Sequence, residues 1–574
     1  MAKRIALLVV IPLVLAVMGY GGQKVMTHSW DELVKYQSPY TAALPSGQGG
    51  EPLTDQVVIV LQDGLRLDTS RELETWNELR AQGADLTVRT GQPTVSIPSF
   101  SVINTGAYQE ISGVTTNWYE GPIPPVDSIY CEAQRQGLTT AIVQEAGGPK
   151  LFAQCLDSAI FPEVPIDDRR AADDIILEQT LAALEEHPNL LWVHFSGSDW
   201  AGHNYGGASE EYQSMAGEID VRIARIVEAM DLQSSVLILN SDHGHTDTGG
   251  HGGWEEEVVV APLVIVGKGI KPGSYGEVEQ ADIAPTVAAL LGIPMPTHNQ
   301  GQPLFDMLEM PAQARAQRAL DAARQHQAFY NQYLSQMGAG SYAGNELAEA
   351  DEALAQGDYQ RAYERGIELS EGIRRYAEVA KQDKIWRERL GRLPITLLIL
   401  VLPALYLAFF PKKRDLVVPL IGAAVYFLLY NGYFFIRGFN WSFSVWNEEW
   451  MLPIFMKQRL VEAGISLLIA VIVVGVLMRG KTILETAQVA VNTSFLVGFG
   501  LLLQVDLYYW LHGLDMDWYL PNLQWGFKYY LDLLQLLPTG LMALFAPLIA
   551  MAVKVVTDRI PLARPRPARV SDEH

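Results

Sequence analysis

Basic residues are scarce in this chain. Its 42 lysines and arginines are outnumbered by 65 aspartates and glutamates, a formal net charge of −23 over 574 residues. Nothing offers the basic stripe that neutralises a phosphate backbone, so a nucleic-acid polymer is not an expected partner. Cysteine is nearly absent too, with only Cys131 and Cys155. The two could pair as one disulfide, because both fall in a segment read as exported, or stay two buried thiols. The apolar start Ile5–Met18, behind Lys3 and Arg4, is followed by no clear Ala-x-Ala cleavage pattern. Residues 1–22 therefore read as a signal anchor in preference to a cleaved signal peptide.

At this length more than one core is expected. From about Asp55 to Phe305, apolar runs alternate with helical patterns. The strands predicted are 57–61, 139–143, 190–194, 236–239 and 263–266, with helices near 71–80, 171–186 and 210–230 between them. This alternation implies an α/β domain, residues 54–305, built on a mostly parallel sheet with helices on both faces.

Strand patterns vanish over residues 311–391, where Ala, Glu, Gln, Arg and Tyr dominate. The segment reads as a helical stalk; Ala353–Arg374 has the look of a single tetratricopeptide-type hairpin, too few units for a solenoid. Five apolar stretches then follow between 393 and 553, each near the length that crosses a bilayer. Basic residues at 411–414, at 479–481 and in the tail 554–574 alternate with loops rich in Trp and Tyr, 440–450 and 515–525. The positive-inside rule puts the basic segments and the C-terminus in the cytoplasm and the α/β domain outside, a multi-pass protein of the plasma membrane. The aromatic loops read as interfacial belts, or as a platform for a lipid headgroup.

Candidate chemistry collects at predicted strand ends and helix starts. Asp63 follows the first strand. Ser96 lies in Pro93-Thr-Val-Ser-Ile-Pro98, and Asp199 and His203 lie one helical turn apart. Asp242, His243 and His251 come from Ser241-Asp-His-Gly-His-Thr-Asp-Thr-Gly-Gly-His251. Three carboxylates, three imidazoles and a hydroxyl suit two adjacent Zn²⁺ ions with positions left open for a phosphate; Mn²⁺ also suits carboxylates.

This ordered series resembles the alkaline phosphatase superfamily, specifically its nucleotide pyrophosphatase/phosphodiesterase branch. The resemblance implies that Ser96, not Thr94, is the nucleophile and passes through a covalent phosphoserine. It implies that Asn117 holds a phosphate oxygen, that Asp63, Ser96, Asp242 and His243 bind one zinc, and that Asp199, His203 and His251 bind the other. His245 departs from the family, which commonly has an apolar residue there, and reads as a supporting or solvated group before a ligand. The arginine of the sulfatase motif is missing after Ser96-Ile-Pro98, and no cation stands beside Ser96, Lys150 being at an uncertain distance. A phosphate diester is thus the expected substrate.

The whole architecture, an N-terminal span, an exported domain with this motif and a multi-span C-terminal region, is similar to that of the GPI ethanolamine phosphate transferases. Three readings follow: a membrane-bound two-metal phosphodiesterase, a lipid-dependent phosphoethanolamine-type transferase to a glycolipid, and a non-catalytic lipid scaffold or transporter. A full ligand set disfavours the third.

Overall fold

A computed structural model describes residues 2–119, 126–146, 151–408, 416–446 and 449–560. Lys150, the basic segment 411–414 and most of the basic tail lie outside these.

The α/β domain is organised by an eight-stranded sheet: β1 (Gln56–Gln62), β2 (Ala84–Arg89), β3 (Thr140–Val143), β4 (Ser158–Ile160), β5 (Leu190–Phe195), β6 (Ser235–Asn240), β7 (Val260–Gly267) and β8 (Gly273–Glu279). The spatial order is β4-β3-β5-β1-β6-β7-β2-β8. All pairs are parallel except those of β7, which runs against both β6 and β2. The mostly parallel α/β sheet is therefore as expected, with β2, β4 and β8 added.

Alternation along β1 shows why the sheet is covered twice. Val57, Ile59 and Leu61 face one core, with the buried helix Ile283–Leu291 among its members. Val58 and Val60 face a second, with Trp76, Tyr212 and Ile219. Successive strand side chains point to opposite faces, so an unbroken apolar run needs cover on both. Truncating one of these, as in Ile59→Ala, would cost roughly 2–5 kcal/mol.

Residues 311–391 do not form a free-standing stalk. Ala319 and Ala322 of the helix Ala312–Gln336 join the first core of the α/β domain. Phe329, Tyr330 and Tyr333 of the same helix pack with Tyr40, Ile111 and Ile373. Glu346–Ala355 and the start of Tyr359–Ala408 close a helical hairpin around Ala350, Ala353 and Ala362. The helix Tyr359–Ala408 then runs unbroken for 50 residues through the expected boundary near 392 into the first apolar stretch. The separate stalk was suggested by the composition change, but helical hydrogen bonding is indifferent to whether side chains turn from polar to apolar.

Among the described residues, six helices are long and apolar enough to cross a membrane, which makes this a membrane protein. The first extends to Val34, beyond the expected residue 22. A Cβ at its Gly19 would stand 2.7 Å from the Leu536 carbonyl oxygen of the last helix, Leu523–Arg559. Small residues of this kind let helix backbones approach closely in lipid.

Candidate active site

Three neighbouring strands, β5-β1-β6, deliver the site at their carboxyl ends, the edge where open α/β sheets gather ligands. Asp63 directly follows β1, and Asp242 and His243 follow β6. Asp199 and His203 share one face of the helix Gly197–Tyr205 that follows β5. Ser96 is the first residue of the helix Ser96–Thr105, and His251 comes from the glycine-rich loop after β6.

These side chains converge in two groups. His243 Nε2 stands 3.3 Å from Ser96 Oγ, 3.3 Å from Asp242 Oδ2 and 3.6 Å from Asp63 Oδ1. His203 Nε2 lies 3.2 Å from His251 Nε2 and 3.3 Å from Asp199 Oδ2, and His251 Nε2 is 3.7 Å from Asp199 Oδ1. Atoms bound to one tetrahedral zinc at about 2.0–2.1 Å stand roughly 3.3 Å from each other. Most of these separations are close to that value.

The remaining hydrogen bonds prepare the same atoms. His243 Nδ1 is 3.2 Å from the Gly244 carbonyl and His251 Nδ1 is 2.9 Å from that of Thr94. Each Nδ1 therefore carries the proton and donates it, which leaves the Nε2 lone pairs facing inward. Asp63 Oδ1 and Asp242 Oδ2 are buried and accept no hydrogen bond from the protein. A buried carboxylate needs a compensating charge, so the donor set fits metal ions. Burial, reinforced by neighbouring carboxylates, pushes Asp242 up to about 7 and Asp63 well above the usual carboxylate range. Burial pushes His243 down to about 3. Asp199 goes the other way: burial would raise it, but His203 and His245 outweigh that and hold it well below the usual range.

Ser96 and Asn117 line one cavity of about 590 Å³. Asn117 Oδ1 accepts the Ile97 amide at 3.0 Å, fixing the start of the serine's helix. Thr94 is committed elsewhere, its hydroxyl donating to the Gly253 carbonyl at 2.8 Å. Cys131 and Cys155 form a disulfide.

Sequence reasoning missed several contributors and left His245 open between a supporting and a solvated role. His194, the fifth residue of β5, places Nε2 2.8 Å from Asp63 Oδ2; a histidine near the end of an apolar strand was the available signal. His245 is fully buried, so the solvated alternative falls, and its Nε2 is 2.9 Å from Asp199 Oδ1. Glu145 and Arg169, paired at 2.6 Å, stand in the cavity wall. So do Trp30 and Leu33 of the first helix and Phe443, Trp446 and Trp450 of an aromatic loop. A second, narrower cavity shares Trp30, Leu33, Phe443 and Trp446 and continues between the membrane helices past Met456, Phe527 and Tyr530.

Residues 57–260 match the family model described as type I phosphodiesterase / nucleotide pyrophosphatase. The resemblance read from the motif series holds for this domain. Among curated proteins, GPI ethanolamine phosphate transferase 1 of Mus musculus is 26% identical over 325 residues, 47% of this chain and 34% of the relative. GPI ethanolamine phosphate transferase 2 of Aspergillus fumigatus is 26% identical over 316 residues, 47% of this chain and 41% of the relative. The chain thus spans well under half the length of these relatives. Among solved structures, murine ectonucleotide pyrophosphatase / phosphodiesterase 5 aligns at a TM-score of 0.36 and 14% identity, over 42% of this chain and 96% of that one.

Proposed function

We propose that this protein is a membrane-bound, metal-dependent phosphotransferase that takes a headgroup phosphate from a lipid-linked diester, through a phosphoserine at Ser96, and passes it to an alcohol acceptor. The single observation that carries the lipid part is a pair of neighbouring cavities with four lining residues in common. One holds Ser96, Asp199, His203 and His251; the other runs between membrane helices, and Trp30, Leu33, Phe443 and Trp446 belong to both. A diester with its phosphate at Ser96 would direct its apolar part towards the second cavity. The similar transferases named above favour a glycolipid acceptor, while hydrolysis, with water as acceptor, uses the same first step.

Asp63, Ser96, Asp242 and His243 would hold one ion, and Asp199, His203 and His251 the other, as Zn²⁺ or Mn²⁺. Such a pair, when bound, would supply an activated serine oxygen and a charge partner for the departing oxygen. Ser96 Oγ forms a bond to phosphorus and loses its proton. The bond from phosphorus to the lipid alkoxide breaks, and that alkoxide leaves as the alcohol after taking up a proton. The headgroup stays esterified to the phosphorus on Ser96, and the acceptor oxygen then bonds to that phosphorus as the bond to Ser96 Oγ breaks, Oγ regaining a proton. Asn117 holds a non-bridging oxygen, and the start of the ten-residue helix that opens at Ser96 favours the phosphate's negative charge.

We take residues 54–305 as the catalytic unit, outside the plasma membrane, with the C-terminus in the cytoplasm. A C-terminal tag that is reached by antibody only after permeabilisation supports this orientation. The function is tested on full-length protein in detergent, counting bound zinc and supplying bis-p-nitrophenyl phosphate or labelled phosphatidylethanolamine. Diacylglycerol release that requires an added glycolipid supports transfer; release in water alone supports hydrolysis; cleavage of neither diester overturns both.

A further inference from the structure

We propose that His245 is a positioning residue for the second ion: its Nε2–H donates to Asp199 Oδ1 and leaves Oδ2 to face the metal. The inference rests on the reading of Asp199, His203 and His251 as that ion's ligands.

The chain has made room for this imidazole from three sides. A Cβ at Gly64 would stand 2.8 Å from His245 Nε2, one at Gly202 2.5 Å from its Cδ2, and one at Gly207 2.9 Å from its Cβ. Gly202 is the informative one, because it lies inside the helix that carries Asp199 and His203, next to His203. Glycine within a helix costs about 1 kcal/mol relative to alanine. Its presence there opens the helix face to the ring while keeping the two ligands one turn apart.

Asp199, His203 and His245 offer atoms within 4.8 Å of one another, so direct ligation is the rival role. The shorter separation of His245 favours the hydrogen bond. His245 Nε2 to Asp199 Oδ1 is 2.9 Å, the length of an N–H···O hydrogen bond. Atoms sharing one tetrahedral zinc stand roughly 3.3 Å apart, the spacing His203 Nε2 shows to His251 Nε2 (3.2 Å) and to Asp199 Oδ2 (3.3 Å). His245 therefore acts on the carboxylate, and through it on the ion.

Three variants of the full-length protein test this: His245→Leu removes the donor, His245→Gln keeps an N–H at similar reach, and Gly202→Ala displaces the ring without deleting it. Each is stripped of metal, then titrated with Zn²⁺ against a chelator and with Co²⁺ by absorption spectroscopy. His245→Leu and Gly202→Ala are expected to weaken one of two sites by roughly 10–100-fold and to change the cobalt spectrum, with His245→Gln within a few-fold of the native chain. Native affinity and spectrum in both His245→Leu and Gly202→Ala would overturn the proposal. So would a His245→Gln protein as impaired as His245→Leu, since that marks a direct ligand. His251→Ala is the control: if it keeps the native zinc content, the metal reading itself has failed, whatever His245 does.

Discussion

Ser444, in the aromatic loop between two membrane helices, accepts the amide N–H of Gly253 at 3.1 Å, two residues beyond His251. Glu255 completes the tie, accepting from the Ser444 hydroxyl and from the Asn440 amide, each at 2.9 Å. The loop that presents His251 is thus braced by the membrane part of the chain. Glu255→Ala, which frees both partners, is expected to speed loss to a chelator of the metal ion proposed at His251 by about tenfold. An unchanged release rate would show the brace to be incidental.

Ser96→Ala should abolish turnover while leaving a metal content close to native, because Asp63, Asp242 and His243 remain. Labelled substrate quenched in acid should leave phosphate on the native chain and none on the variant. A Ser96→Ala protein that stays fully active would end the nucleophile assignment.

Trp30 and Trp446 belong to both cavities but lie among no ligands. Trp30→Ala and Trp446→Ala are each expected to lower kcat/KM for a lipid diester at least ~10-fold, the loss of one large buried aromatic contact. Cleavage of bis-p-nitrophenyl phosphate should change less than about threefold. Equal losses on both substrates would place these rings in the chemistry and remove them from lipid binding.

Asp173 predicts a pH effect away from the metal ligands. Its carboxyl is buried with neither oxygen hydrogen-bonded, and burial raises it to about 7, against the opposing pull of Arg222 and Arg169 and with a further push from Glu145 and Asp174. The folded chain therefore keeps this proton up to about pH 7, whereas the unfolded chain releases it near 3.8. Between those values the folded state binds more protons, so stability falls as pH rises, by on the order of 4 kcal/mol for this group. Asp173→Asn should accordingly raise the melting temperature, relative to native, more at pH 8 than at pH 5. The same difference at both pH values would contradict this.

Much of this arrangement was legible in the sequence, and the reasons differ by residue. Asp63, Asp199 and Asp242 announce themselves as polar groups closing apolar strands or opening the next helix. Edge strand β8 is invisible as such, since exposed Gly273–Glu279 shows no core-facing alternation. His194 sits within a strand buried throughout and only its partner, Asp63, reveals its purpose. Trp30 could not be assigned to the cavity because its neighbours there, Trp118 and Phe443, are distant in the chain; Trp118 meets it edge-on at 5.1 Å. Contacts of that kind follow from how the membrane helices dock, which local pattern does not encode.

The unbroken helix Tyr359–Ala408 has a kinetic consequence. At 1.5 Å per residue its 50 residues, Pro394 and Pro403 among them, measure about 75 Å along the helix axis, from the flank of the α/β domain into the apolar region without a hinge loop. On the proposed reading, such a post fixes the height of Ser96 above the bilayer. Donor and acceptor then meet the enzyme by lateral diffusion, and turnover should follow their surface density, as mole fraction in the membrane, more closely than their concentration in bulk solution.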